Sequence, residues 1–224
     1  MIKKIIKILL IVFLILIIGI FYLSIFGIKT DKFNDQITKN FLKINKEINL
    51  SLKNVNYLLN PYNFTIKIKT KNPQLVFEGK IFGIKSIQTN IALKSIFNNQ
   101  LSIDDLKIET KEIKLNDIIK LVRVFKDSQQ LLILDAIIKD GFIIADVKFN
   151  FNENGEIKKD YEIKGSVKKV KLNFLNQIKL KNLNFNFNIN KNIYLLKQID
   201  MQLNTIEITS PLISVEKKKN LFFC

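Results

Sequence analysis

The sequence predicts a mainly β protein with a few short helices, in which a single amino-terminal transmembrane helix is followed by a curled antiparallel sheet that forms a groove. Three observations lead to this fold class. A long uncharged run lies near the amino terminus, an alternation of apolar and polar residues starts at residue 50, and helical periodicity is sparse afterwards. The 224 residues suffice for one such domain behind its anchor.

Residues 1–28 form the predicted membrane anchor. From Ile8 to Ile28 the chain has 21 consecutive uncharged residues, and a helix of that length spans roughly 31 Å, the thickness of a bilayer core. The apolar run exceeds the 7–15 residues or so that are usual in a cleaved signal peptide, which favours an uncleaved anchor. Lys3, Lys4 and Lys7 precede it without any acidic residue. The positive-inside rule then predicts a single-pass bacterial inner-membrane protein with a cytoplasmic amino end and a periplasmic body.

Residues 29–49 are predicted to form an amphipathic helix. Phe33, Ile37, Phe41, Ile44 and Ile48 recur at spacings of 4, 4, 3 and 4, which places them on one stripe of a helix. Two placements stay open: the helix packs on the end of the sheet, or it lies on the membrane surface beside the anchor.

Residues 50–224 are predicted to form the antiparallel β-groove region. Ile143, Ala145, Val147 and Phe149 alternate with polar residues, and the run from Leu183 to Ile189 alternates with asparagines. A helical insertion is expected at about 116–140, ended by Gly141 as a left-handed cap. Apolar faces this long must leave water, so the sheet either folds on itself as a sandwich or curls into a trough that holds another apolar molecule.

Composition excludes several functional classes. Histidine is absent, and the one cysteine, Cys224, cannot form a zinc site by itself, so we expect no cofactor, no metal and no enzyme activity. Asp104 and Asp105 are the only tempting pair of carboxylates, and a strand edge or bulge explains them. The formal charge is +16, but Arg123 is the one arginine among 36 basic residues, which argues against nucleic acid as a partner.

The stretch from Phe82 to Leu115 resembles the amino-terminal repeat unit of the AsmA family. A strand ends at Ile91-Ala92-Leu93, a short helical turn follows at Lys94–Phe97, and the next strand begins with Ile103-Asp104-Asp105-Leu106-Lys107-Ile108. The anchor at the extreme amino end, the amphipathic helix after it and the break at Leu59-Asn60-Pro61 are similar to the same family. The resemblance covers most of residues 1–115.

The resemblance implies a membrane-anchored periplasmic groove that takes part in phospholipid transfer between the inner and outer membranes, or in outer-membrane biogenesis. The implied partners are the inner membrane and phospholipid acyl chains. The alternative is a tethered scaffold or assembly factor with a self-covered β-sandwich, whose partners would be outer-membrane proteins. Because family members are longer, we also expect this chain to be a fragment. The groove candidates are Phe64, Ile66, Ile68, Ile143, Val147, Phe149, Phe151, Leu183, Phe185, Phe187 and Ile189.

Overall fold

A computed structural model describes residues 2–31, 34, 38, 47–53, 55–94, 103–125, 127–152, 158, 160–174, 178–218 and 221–223. The predicted fold class is confirmed: the chain is mostly antiparallel sheet with few helices and one apolar amino-terminal helix. That helix is long and apolar enough to cross a membrane, which is consistent with single-pass anchoring.

Three helices and fourteen strands have bounds that the described residues define. The helices are α1 (Ile2–Ile25), α2 (Leu115–Phe125) and α3 (Gln129–Ile137). The strands are β1 (Ile28–Thr30), β2 (Ile48–Ser51), β3 (Val55–Asn60), β4 (Thr65–Lys71), β5 (Gln74–Phe77), β6 (Lys80–Ala92), β7 (Ile103–Thr110), β8 (Ile113–Lys114), β9 (Ile138–Asn150), β10 (Glu162–Phe174), β11 (Ile178–Asn190), β12 (Ile193–Leu203), β13 (Ile206–Lys218) and β14 (Leu221–Phe223).

The strands form one sheet in the order β1-β3-β4-β6-β7-β9-β10-β11-β12-β13-β14. Two side branches complete it: β5 joins β2 to β6, and β8 pairs with β9. The order has two ends, so the sheet is open. It is also uncurled, which corrects the predicted curl into a trough. Simple alternation specifies which side of a strand is apolar, but it does not determine whether the sheet curls around that side.

The predicted helix at 29–49 is wrong at both ends. Lys29 and Thr30 belong to β1, and Ile48 and Asn49 to β2. Of the residues between them, Asn34 and Thr38 are helical, whereas Phe33, Ile37, Phe41 and Ile44 lie outside the described residues. Strand pairing prevails at the ends because Ile48 faces Phe77 in the sheet and is fully buried there.

The helical insertion lies close to its predicted position but ends earlier. It consists of α2 and α3, and Ile138 caps α3 in an extended conformation. Gly141 is therefore not the predicted helix cap. It has a φ of +142° inside β9, where an added Cβ would lie 3.0 Å from the Cα of Val170. Glycine is required there because two backbones approach closely.

Gly27 makes the turn between the membrane helix and the sheet. It adopts a φ of +64°, and an added Cβ would overlap the carbonyl oxygen of Tyr57. This close approach lets β1 pair with β3 directly after α1 ends. The sheet is thereby attached to the carboxy-terminal end of α1 with two residues of connection.

The best-covered core lies on β2, β5 and the first half of β6, which we call the covered region. Its buried side chains are Ile48, Leu50, Leu75, Phe77, Phe82, Ile84 and Ile113. Amphipathic α2 closes it, because Ile118, Leu121 and Val124 recur at a spacing of three and pack against that cluster. A helix laid on a sheet face makes this a two-layer structure.

The second half of β9 and strands β10 to β13, which we call the open region, differ from it. A second cluster there contains Ala145, Val167, Val170 and Phe187 as its buried members. Among the described residues, β11 and β12 pack extensively only on their sheet neighbours, while β10 receives α3 on a small area. Most of the open region is therefore one layer thick.

Candidate functional site

One apolar face runs across ten paired strands, from β1 to β13. Side chains paired across antiparallel strands share a face, and the pairing register links Ile108 to Val147, Val147 to Ile163 and Ile163 to Ile189. The amino-terminal members of this apolar face are Val55, Tyr57, Leu59, Ile66, Ile68, Thr70, Ile87, Thr89, Ile91, Ile103, Leu106 and Ile108. The carboxy-terminal members are Ile143, Ala145, Val147, Phe149, Ile163, Gly165, Val167, Val170, Leu172, Leu180, Leu183, Phe185, Phe187, Ile189, Tyr194, Leu196, Ile199, Met201, Leu203, Ile206, Ile208, Ile213 and Val215.

Three bulges keep this apolar face in phase within the open region. The register shifts by one residue on β10 between Val167 and Val170, on β11 between Leu180 and Leu183, and on β12 between Leu196 and Ile199. At each shift the apolar residues change between odd and even numbers. Without an extra residue, the strand would turn its apolar side chains to the opposite face from that point on.

Each bulge contains a residue in the left-handed region. Lys169, Asn182 and Gln198 have φ of 54°, 54° and 52°. Asparagine tolerates this conformation, whereas lysine and glutamine each accept it at a cost of about 1 kcal/mol. Asn184 on β11 links the neighbouring strands next to these bulges. Its Oδ1 accepts from the Lys169 N–H at 2.8 Å, and its Nδ2 donates to Asp200 at 2.8 Å.

Most predicted groove residues come together on this face. Ile66 and Ile68 lie on β4, Ile143, Val147 and Phe149 on β9, and Leu183, Phe185, Phe187 and Ile189 on β11. Phe185 and Phe187 contact each other with ring centroids 6.3 Å apart. Gly165 leaves room for this pair, because a Cβ there would lie 2.7 Å from the Phe187 ring.

Phe64 lies before the paired strands, whereas Phe151 forms a single bridge just beyond the end of β9. Phe64 has a φ of 50° in the turn before β4 and is 72% exposed, so the alternation that includes Ile66 and Ile68 stops one residue short of it. Phe151 follows β9, and its N–H donates to the carbonyl of Asp104 at 2.9 Å. Turn geometry overrides the period of two at Phe64.

The open region leaves its apolar side chains partly accessible. Val147, Phe149, Ile163, Ile189 and Leu196 are only half-buried. At the far end Ile206 is 64% and Ile213 is 40% exposed. No described element seals this face along its length, and contiguous exposed apolar surface of this kind is typical of a binding site.

The opposite face of the same strands is polar. Asn186 Nδ2 donates to Gln198 Oε1 at 2.6 Å, and the Lys164 ammonium lies 2.7 Å from a Glu162 carboxylate oxygen. Side-chain amides linked in this way satisfy one another and remain in contact with water. The two faces of β10 to β13 therefore differ in chemistry, although Ile193, Leu195 and Leu212 place apolar side chains on the polar face.

Tyr161 and Tyr194 hydrogen-bond to each other at one end of the apolar face. Burial and the hydrogen bond with Tyr194 raise the pKa of the Tyr161 hydroxyl above its usual value. A tyrosine has an apolar ring and a polar tip, which suits a boundary between oil and water.

The carboxylates of β7 do not make an acid–base pair. The register shift between Asn90 and Ile91 makes Asp104 the extra residue of a bulge, as the sequence predicts. Burial, with the neighbouring Asp105 adding to it, raises the pKa of Asp104. Asp105 instead accepts from the backbone N–H and the side-chain amide of Asn90, both at 2.9 Å. Among the described residues no three His, Cys, Asp or Glu side chains group to hold a metal.

Sequence reasoning missed the contribution of β12 and β13. Tyr194 and Leu196 carry the apolar face on even positions, and Ile199, Met201 and Leu203 carry it on odd ones. The signal in the sequence is partial, because residues 193–196 are all apolar and the alternation begins only at Ile199.

Comparisons with protein-family models, with curated proteins and with solved structures found no match for this chain. What the molecule does is therefore argued from its own geometry.

Proposed function

We propose that this protein is a membrane-anchored lipid-binding protein whose apolar face receives phospholipid acyl chains and takes part in their transfer between membranes. The observation that carries the proposal is the continuity of the apolar face across ten strands, maintained by three bulges. A sheet that needed only a local core would not require strained residues in three neighbouring strands to keep one side apolar.

The chemistry of the face suits acyl chains. Contacts with aliphatic and aromatic side chains are non-directional and contribute roughly 0.8 kcal/mol for each methylene removed from water. An acyl chain can slide along such a surface without breaking specific bonds, while the lipid headgroup stays in water. This role requires no catalyst, in keeping with our expectation that the protein is not an enzyme.

The AsmA-like pattern supports the same role and suggests where in the cell the protein lies. Three lysines on the amino side of α1 favour a cytoplasmic amino end, and we propose a bacterial inner-membrane anchor with a periplasmic body. The open, uncurled sheet changes one detail of the expectation: the acyl chains would lie on an exposed face and not inside a closed trough.

Photocrosslinking in intact cells tests the proposal with neighbouring residues on opposite faces. A photoreactive residue replaces Phe149 or Leu196 on the apolar face, and Lys148 or Lys197 one position away on the polar face. We expect phospholipid adducts at Phe149 and Leu196 and background signal at Lys148 and Lys197. Equal labelling of both faces, or protein adducts alone at Phe149 and Leu196, would refute lipid binding.

The scaffold alternative has its own structural support at the outer edge of β13. Among the described residues, only Glu216 to Lys218 pair with β14, which leaves the rest of that edge without a strand partner. Strand addition by a client protein could complete it. Pro211 lies in this stretch and removes one backbone donor, which weakens the edge as a pairing template. Crosslinks from Ile208 to outer-membrane proteins, with no lipid at Phe149, would favour the scaffold.

A further inference from the structure

A cavity of about 780 Å³ lies at the outer end of α1, on the side of the sheet opposite to the apolar face. Five lysines line it: Lys29, Lys53, Lys69, Lys71 and Lys111. No carboxylate is among the described residues that line it, and none of the five makes a salt bridge with the described acidic residues.

The fold brings these lysines together from four separate places. Lys29 is on β1, and Lys53 precedes β3. Lys69 and Lys71 are two residues apart on β4 and so point to the same side. Lys111 is held at the rim because its N–H donates to the Gly83 carbonyl at 2.7 Å. Five like charges gathered around one cavity create a positive potential that an anion lowers.

The cavity also has an apolar wall at the level of the bilayer surface. Ile25 and Phe26, at the end of the membrane helix, are 58% and 62% exposed, and Ile81 beside them is 68% exposed. A free anion would contact only the lysines, and these apolar side chains would remain exposed to water. An amphiphile would use both, because its phosphate meets the lysines while its glycerol and upper acyl carbons cover Ile25, Phe26 and Ile81.

We propose that this cavity, the lysine pocket, binds the phosphate headgroup of an anionic phospholipid from the leaflet that surrounds the outer end of α1. The lipid would hold the sheet against the membrane at a fixed height and orientation. The proposal needs only that α1 spans a bilayer. It does not rest on lipid transfer along the apolar face, because the lysine pocket lies on the other side of the sheet.

Native mass spectrometry of the full chain in neutral-detergent micelles tests this. The micelles are titrated with phosphatidylglycerol or, separately, with phosphatidylcholine of the same acyl chains. The pocket variant is Lys69→Gln with Lys71→Gln. The matched control is Lys148→Gln with Lys181→Gln, two exposed lysines of the polar face on β9 and β11, so both double variants lose the same charge.

We expect the wild type to bind phosphatidylglycerol more tightly than phosphatidylcholine. A lysine near an anionic surface contributes about fivefold in affinity, so the pocket variant should bind phosphatidylglycerol about 30-fold more weakly, and the control less than about threefold. Equal losses in the two variants would reduce the effect to net charge and overturn the proposal. So would displacement of phosphatidylglycerol by millimolar inorganic phosphate, which would identify a free-phosphate site.

Replacing a residue of the apolar wall provides a second test of whether the ligand is a phospholipid or a free phosphate. Ile81→Ser leaves every lysine in place, so it should weaken phosphatidylglycerol binding about fivefold, as expected when the contact of roughly one methylene is lost. An unchanged affinity would show that the wall takes no part and would contradict a lipid ligand. Phospholipid crosslinking at Phe149 should stay unchanged in the Lys69/Lys71 variant and in Ile81→Ser. Such a result would show that lipid binding in the lysine pocket is independent of lipid binding on the apolar face.

Discussion

Apolar and polar residues alternate in both the covered and the open region of the sheet, but the apolar side chains of the two regions are buried to different extents. In the covered region, Leu50, Phe77 and Phe82 are 4% exposed or less, and α2 packs against the cluster to which they belong. In the open region, Phe185, Ile189 and Leu196 have equivalent places on their strands but stay half-buried. The difference teaches that alternation defines a face, while its burial depends on whether a second element is available to cover it.

The most disruptive test removes one bulge of the open region. Deleting Lys169 joins Lys168 to Val170 and turns Val170 and Leu172 to the polar face. We expect the free energy of unfolding to fall by on the order of 3–6 kcal/mol, since two apolar side chains lose their burial. Urea unfolding of the full chain in micelles, followed by circular dichroism, measures it.

A substitution at the same position provides the control. Lys169→Gly keeps the residue count and removes the cost of a positive φ, so stability should rise by about 1 kcal/mol or less. If the deletion and the substitution behaved alike, the phase of the strand would not matter, and the argument from the three bulges would fail.

The direct comparison of the two regions uses two phenylalanines. Phe82→Ala in the covered region should destabilise by about 3–5 kcal/mol, as is usual for a closely packed ring. Phe185→Ala in the open region should cost about 1–2 kcal/mol because water already reaches that side chain. The same urea unfolding experiment compares them. Equal costs would mean that a second layer covers the open region after all.

The smallest expected effect concerns two carboxylates on β7, the strand between the two regions. Hydrogen bonding to Lys85 lowers the pKa of Glu109, and Lys107 contributes in the same direction. A lowered pKa stabilises the fold at pH values above the unfolded-state pKa, and this contribution is lost as the pH falls through the folded-state pKa. Asp104 behaves in the opposite way, because its raised pKa makes the ionised form destabilising.

At pH 7, Glu109→Gln should therefore lower stability and Asp104→Asn should raise it, each by less than about 1 kcal/mol given their exposure to solvent. Both differences should disappear in acid, where the wild-type carboxyls are protonated. Unfolding midpoints between pH 3 and 7, an interval chosen to bracket ordinary carboxyl pKa values, check this. A stabilising effect of Glu109→Gln at pH 7 would contradict the assigned ion pairs.

Part of the site could be predicted from local sequence alone. The runs Ile143–Phe149 and Leu183–Ile189 alternate strictly, and each keeps its apolar side chains on one face as predicted. Phe64 fails because a turn, not a strand, determines its backbone. Tyr194 and Leu196 were missed because their strand changes phase, and Gly141 was assigned to a helix end although it serves a close approach between β9 and β10.

The sequence by itself determined the anchor, the antiparallel strands and the two-sided chemistry of each strand, because length, charge and a period of two are local properties. The tertiary structure alone decided which part of the apolar face α2 covers and that the sheet stays open. It also decided that lysines from positions 29, 53, 69, 71 and 111 surround one cavity. These features depend on contacts between residues far apart in the chain, and no local pattern encodes such contacts.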